Sequence, residues 1–123
     1  QGSLVSDLLI TNLLEKVIKE CQLTDFIKNL EQGVETIIGE KGSFISAGQI
    51  QRIALARTLY FQRDVLILDE ITNALDEKTE DQIIDLLKSL KNKKTIIIIS
   101  HNKKNLRICN EIFSVENNKI VKL

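Results

Sequence analysis

The chain has 123 residues, of which 43% are hydrophobic and 28% are charged, as in an ordinary soluble domain with its own core. Seventeen basic residues balance seventeen acidic ones, so the charge does not indicate a nucleic-acid partner, and we predict none. No uninterrupted apolar run exceeds four residues, as in Val65–Leu68 and Ile96–Ile99, which is far too short for a membrane span.

Residues 4–30 have a helical pattern. Apolar side chains recur there at helical spacing: Leu9, Leu13, Val17 and Cys21. Thr24 is placed to cap a second, short helix over residues 25–30. Residues 31–42 contain three glycines and alternating charges, which predicts a loop. We interpret Cys21 and Cys109 as buried thiols in a reducing compartment, because their spacing is not that of a metal or redox site.

A turn of small residues, Ser46-Ala47-Gly48-Gln49, opens into a helix-forming run that ends at Tyr60. Free backbone N–H groups and the positive end of the helix dipole suit an anion at such a turn. The Ser46 hydroxyl can cap the helix and can also donate to a phosphate oxygen. Gly48 would let the backbone come close to a ligand. For Arg52 and Arg57, on this helix, we predict pairing with carboxylates of the domain.

The apolar run Val65–Leu68 is followed directly by two carboxylates, Asp69 and Glu70. A continuous apolar run of this length predicts a buried parallel strand. In open α/β sheets the reactive groups lie at the carboxyl ends of such strands. Asp69 and Glu70 occupy that position.

Several segments together resemble ATP-binding-cassette (ABC) ATPases. The run ISAGQIQRIALART resembles the signature motif, VLILDE resembles the Walker B strand, and NALD resembles the D-loop. Ile45 stands for the usual Leu, Ala47 for the first signature Gly, and Asn73 for the usual Ser. The resemblance implies an α/β fold: a P-loop NTPase (RecA-like) half-domain with a partial parallel sheet, the ABC helical subdomain and a C-terminal β-hairpin.

The same resemblance implies ATP and Mg²⁺ as cofactors. Ser46, Ala47, Gly48 and Gln49 would hold the γ-phosphate of an ATP bound to the opposite subunit. Asp69 would hold Mg²⁺ through a water, because Mg²⁺ prefers hard oxygen ligands and keeps several waters. Glu70 would act as general base on the attacking water. Asp76 would meet the partner subunit, cap the following helix, or do both.

The C-terminal part continues the alternation of helix and strand. Residues 78–90 have an amphipathic helical pattern, and Thr95–Ile99 predicts a second buried strand. That strand would deliver Ser100 and His101 to the sheet edge that carries Asp69 and Glu70. By resemblance, His101 is the switch histidine that bonds the γ-phosphate. A short helix over 102–109 and a hairpin formed by 111–115 and 119–123 would complete the chain.

The sequence contains no Gly-Lys pair and therefore no G-x-x-x-x-G-K-[ST] phosphate loop. We therefore expect the C-terminal portion of an exporter-type nucleotide-binding domain, with residues 1–60 forming the helical subdomain and 61–123 half of the ATPase core. Such a piece would itself be inactive, would expose apolar surface and would self-associate.

The intact protein would hydrolyse ATP to drive export across a membrane. It would work on the cytoplasmic side of the cell membrane as a head-to-tail pair of nucleotide-binding domains docked on a transmembrane domain. The segment Thr36–Gly42 is similar to the exporter segment that touches the coupling helices of the membrane domain. A soluble ABC-type ATPase of DNA repair, chromosomes or translation and a non-catalytic assembly module are the alternatives. The sequence specifies no cargo.

Overall fold

The computed structural model describes residues 4–38 and 45–123, and of residues 4–9 the backbone alone. The elements follow in this order: α1 (Leu4–Glu20), α2 (Thr24–Lys28), a 3₁₀ turn (Gly33–Glu35), α3 (Ala47–Tyr60), β1 (Val65–Asp69), α4 (Glu77–Leu90), β2 (Thr95–Ile99), α5 (Lys103–Leu106), β3 (Phe113–Glu116) and β4 (Lys119–Lys122). None of the helices within these described ranges has both the length and the apolar character needed to cross a bilayer.

Two small sheets are present in the described ranges. β1 and β2 pair in parallel, from Val65 opposite Thr95 to Asp69 opposite Ile99. β3 and β4 form an antiparallel hairpin. Its turn residues Asn117 and Asn118 have φ of 49° and 59°, a conformation that asparagine tolerates better than most residues. The mixed α/β class with a partial parallel sheet and a C-terminal hairpin is confirmed.

One hydrophobic cluster connects the helices to the sheet. Its buried members come from α1, α3, β1 and α4 and from the turn after α1: Val17, Cys21, Leu23, Leu55, Ala56, Leu59, Leu66, Leu68, Ile83, Leu86 and Leu87. Because this cluster runs across residue 60, no separate core marks the division into residues 1–60 and 61–123. That division stays a prediction.

The sheet is covered on one face only by the described elements. In β1, Leu66 and Leu68 are buried, but Val65 and Ile67 are 52% and 67% exposed. Ile97 and Ile99 continue the exposed face on β2. The four-residue apolar run predicts that β1 is buried on both faces of the sheet. In the structure, helices cover only one of these two faces. The expected exposed apolar surface is therefore present.

Several predicted helix boundaries were wrong. Thr24 does not cap α2 but is its first residue, after Leu23, which makes no capping side-chain hydrogen bond. The helix also ends at Lys28, because the chain turns there through bonds from Asn29 and Leu30 to the carbonyls of Phe26 and Ile27.

α5 is shorter than the predicted 102–109. The Asn102 side chain accepts a bond from the Lys104 N–H and caps the helix at its start, and the chain leaves the helix after Leu106, whose carbonyl accepts from the Cys109 N–H in a turn. Cys21 is fully buried, but Cys109 is only partly buried, so the prediction of two buried thiols holds for Cys21 alone. Burial raises the pKa of the Cys21 thiol to about 12, which keeps it protonated in the core.

Residues 39–42, the end of the proposed coupling segment, lie outside the described ranges.

Candidate functional site

The ends of β1 and β2 lie side by side and bring together the acidic pair and the histidine. The Glu70 N–H donates to the Ile99 carbonyl at 2.9 Å. The His101 Nε2 atom lies 3.6 Å from Glu70 Oε1. The parallel register therefore places Asp69, Glu70 and His101 at one edge, as the order of strands in the sequence predicts.

Glu70 has an unusual backbone and an unpaired carboxylate oxygen. Its φ is 49°, in the left-handed region that few non-glycine residues adopt. Such conformations persist where the surroundings fix them, and the Gln51 side chain donates to the Glu70 carbonyl at 3.0 Å. The Glu70 side chain is 26% exposed, and its Oε2 atom is buried without a hydrogen-bond partner among the described residues. That oxygen is an available acceptor for a donor such as water.

His101 is held near Glu70 but is otherwise open to solvent. Its side chain is 99% exposed. A buried structural histidine would satisfy its ring nitrogens within the fold, whereas this ring can reach a ligand placed over the sheet edge.

Asp69 is exposed at the end of β1. Within ranges 4–38 and 45–123 no ion pair or hydrogen bond engages its carboxylate, and no group of three His, Cys, Asp or Glu side chains could cage a metal. Mg²⁺ usually keeps several waters and binds one or two carboxylates plus substrate phosphates. A single exposed carboxylate fits that mode of binding, so Asp69 is suited to hold Mg²⁺ through a water if a phosphate binds at this sheet edge.

The signature turn is a complete capping box at the start of α3. The Ser46 Oγ atom accepts from the Gln49 N–H at 3.1 Å, and Gln49 Oε1 accepts from the Ser46 N–H at 2.9 Å. Ser46 and Ala47 are exposed. Because the cap uses Ser46 Oγ as an acceptor, its proton stays free to be donated to a ligand.

Gly48 is buried and packs against the D-loop. From the sequence we expected this glycine to let the backbone approach a ligand. A Cβ atom at this position would lie 2.7 Å from the Ala74 carbonyl oxygen and 3.2 Å from Leu75 Cδ2. Backbone cannot yield cheaply at such a distance. Gly48 therefore lets α3 and the D-loop touch each other.

Asp76 caps α4. Its Oδ1 accepts from the Thr79 hydroxyl at 2.7 Å and its Oδ2 from the Thr79 N–H at 3.1 Å. These two bonds hold the pKa of Asp76 below its usual range, and the bond from the Thr79 hydroxyl contributes more than the bond from the Thr79 N–H. The capping role is thus present, and because Asp76 is exposed, a role toward a partner stays open as a prediction.

Among the described residues, Arg52 forms no ion pair with a carboxylate, contrary to the prediction. It donates to the carbonyls of Gln22 and Gly48. The bond to Gln22 joins α3 to the turn that follows α1, where Gln22 has a φ of 57° and a left-handed turn leaves its carbonyl without a helical partner.

Three polar residues of the site escaped the sequence reasoning: Gln51, Thr72 and Asn105. Gln51 holds the backbone of Glu70. The signal for it was available, since Gln51 lies one turn before Leu55 on the buried stripe of α3. Asn105 donates to Thr72, and no spacing or composition in the sequence indicates that contact.

Comparison with known proteins agrees with this geometry. Residues 3–73, more than half of the chain, match the family described as ABC transporter. The chain therefore belongs to the ABC transporter family, and its fold is that of the P-loop NTPases.

Among individual relatives, the chain is 39% identical over 108 residues to the ATP-dependent lipid A-core flippase of Vibrio cholerae, covering 88% of this chain and 19% of the flippase. It is 44% identical over 97 residues to the flippase of the same name from Haemophilus ducreyi, covering 79% of this chain and 17% of that protein. The chain thus spans less than a fifth of the length of these curated relatives.

Proposed function

We propose that this chain is part of the nucleotide-binding domain of an ATP-driven exporter and supplies the hydrolytic side chains of that domain. The observation that carries the proposal is the pairing of Glu70 and His101, 3.6 Å apart at the end of two parallel strands. The relatives it matches are named as ATP-dependent flippases, which favours an exporter over a soluble ABC-type ATPase or an assembly module.

In this proposal each residue at the sheet edge has one task. The Oε2 of Glu70, which has no hydrogen-bond partner among the described residues, orients the attacking water and takes its proton as the water oxygen bonds to the γ-phosphorus and the bond from that phosphorus to the β-phosphate oxygen breaks, releasing ADP. The exposed ring of His101 donates to the γ-phosphate. Asp69 would hold Mg²⁺ through a water, and the bound ion would neutralise charge on the phosphate oxygens.

The signature turn and the D-loop would face a second nucleotide-binding domain. Ser46, Ala47 and Asp76 are all exposed, and Gly48 keeps the turn in contact with the D-loop. A head-to-tail pair would place this surface on the γ-phosphate of an ATP held by the partner.

Since the chain has no Gly-Lys pair, the phosphate loop must come from residues outside it, and the chain alone would be inactive.

A transmembrane domain is the second proposed partner. An apolar cavity of about 270 Å³ opens between α1, α2, α3 and residues 33–38. Its walls include Leu14, Phe26, Ile53 and Tyr60. Thr36 also lines it, and the Thr36 hydroxyl is buried without a hydrogen-bond partner in the described ranges. Thr36 and Ile38, from the described start of the proposed coupling segment, line the cavity, and in this proposal it receives a helix of a membrane domain on the cytoplasmic side. The relatives' names make an amphiphilic lipid the first class of cargo to test.

A chimera tests the hydrolytic proposal. The matched stretch of the Haemophilus ducreyi flippase is replaced by the corresponding stretch of this chain, and ATP hydrolysis is measured. We expect saturable hydrolysis that Glu70→Gln lowers by at least about 100-fold, because general-base catalysis is worth that much, with ATP binding retained. Asp64→Asn, at the opposite end of β1, is the matched control and should leave the rate unchanged. A folded, ATP-binding chimera that hydrolyses equally well with Gln at position 70 would refute the proposal.

A further inference from the structure

We propose that Asn105 is a positioning residue that fixes the switch histidine to the D-loop. The inference rests on the proposed function and deepens it, because it concerns how His101 is placed. Asn105 lies in α5 and is only 2% exposed. Its side chain bonds both to Thr72, in the segment that follows β1, and to Ser100, the residue that follows β2.

The Asn105 amide makes two bonds from a single nitrogen. Nδ2 donates to Thr72 Oγ1 at 2.9 Å and to Ser100 Oγ at 2.9 Å. Thr72 is itself 3% exposed. Ser100 Oγ in addition accepts from the Asn102 N–H at 3.0 Å, which fixes the direction of the hydroxyl. Nδ2 can therefore donate to both hydroxyls only while Thr72 and Ser100 keep this relative position.

Both bonded residues are next to residues of the site. Ser100 immediately precedes His101. Thr72 lies two residues after Glu70 and begins the turn in which its carbonyl accepts from the Leu75 N–H at 3.1 Å. That turn is the one that touches Gly48. A displacement of the D-loop by a partner would thus pass through Thr72 and Asn105 to Ser100, and from there to the distance between His101 and Glu70.

Asn105 is poorly explained as a packing residue. Its Oδ1 is buried without a hydrogen-bond partner among the described residues, and an unmet buried acceptor destabilises the fold. An apolar side chain of similar size would avoid that cost while filling the same space. The amide is therefore retained for the two bonds made by Nδ2, which hold the two loops together.

The test uses the chain itself and needs no nucleotide. His101 is the single histidine of the sequence, so its ring gives one unambiguous NMR signal. Asn105→Leu removes both bonds at similar volume, and Thr72→Val removes only the bond to Thr72, which directly precedes the D-loop. Asn110→Leu makes the same change at an exposed asparagine four residues after α5 and serves as the matched control.

We expect Asn105→Leu and Thr72→Val each to move the His101 ring signal and the Ser100 amide signal well beyond any change in the control. The effects should not add: in the Asn105→Leu background, Thr72→Val should cause little further movement of either signal, because the connection is already broken. If Asn105→Leu fails to fold, the His101 and Ser100 signals of Thr72→Val are compared with those of the parent chain, and this comparison tests the proposal.

An unmoved His101 signal in folded variants, or simple additivity, would overturn the proposal. Because the readout involves no hydrolysis, its failure is separate from a failure of the proposed ATPase function, which the flippase chimera tests.

Discussion

At the scale of single residues, Gly48 joins the signature turn to Ala74 of the D-loop, which lies 26 residues later in the sequence (74 − 48). The contact with the Ala74 carbonyl leaves no space for a methyl group. We expect Gly48→Ala to lower the free energy of unfolding by about 1–3 kcal/mol, the usual effect of overpacking, and urea unfolding followed by circular dichroism would measure it.

Ala47→Gly is the natural control for Gly48→Ala. It restores the glycine usual in the signature motif, and Ala47 is exposed, so its methyl group contributes little packing. We expect a loss of no more than about 1 kcal/mol from helix propensity alone. An unchanged stability in Gly48→Ala would contradict the close contact between α3 and the D-loop.

At the scale of elements, α4 depends on its N-terminal cap. Asp76 accepts two bonds from Thr79 that lower its pKa below the usual value of 3.8. A carboxyl with a depressed folded pKa stabilises the fold above its unfolded pKa, and this stabilisation is lost as pH falls through the folded pKa. The chain should therefore lose stability below pH 3.8 partly because Asp76 takes up a proton.

Thermal unfolding measured over a range of acidic pH tests this prediction. Asp76→Asn should be less stable than the parent chain near neutral pH, and the difference should shrink as pH falls below 3.8. Thr79→Val removes the hydroxyl bond and should reproduce part of the effect. A constant difference in stability between Asp76→Asn and the parent at all pH values would show that protonation of Asp76 does not cause the loss of stability at low pH.

The elements also show how far a sequence can be read. Periodicity and the acid pair at the end of β1 were sufficient to predict α1, α3, α4, both parallel strands and the hairpin, because those signals are local. Exposed apolar surface was expected, but its position on one face of β1 was not predictable, because burial of Ile67 depends on which layer covers the sheet. Thr24 misled the prediction because its side chain can cap a helix, but the helix starts at Thr24 itself.

The site was predictable only where its residues follow a strand or open a helix. Asp69, Glu70 and His101 meet because parallel strands end at one edge. The bonds of Asn105 to Thr72 and Ser100, and the packing of Gly48 on Ala74, arise from tertiary contacts that the one-dimensional pattern does not contain. Resemblance to the family located the motifs, and only the coordinates show how they touch.

At the scale of the whole molecule, the central claim is a division of labour. In the proposed function, this chain supplies the groups that would act on the γ-phosphate, Glu70 and His101, and the signature surface that would face a partner. It does not carry the sequence that cradles the β- and γ-phosphates. Catalytic side chains act only on a substrate that is held in place, so the chain should require a phosphate loop from other residues.

The most direct test is isothermal titration calorimetry of the 123-residue chain with Mg-ATP, beside an Asp69→Asn variant. We predict no saturable binding at millimolar nucleotide and no difference between the two proteins, while circular dichroism shows that both are folded. Saturable binding that Asp69→Asn weakens would contradict the claim, because it would show that a phosphate site forms within this chain without a phosphate loop.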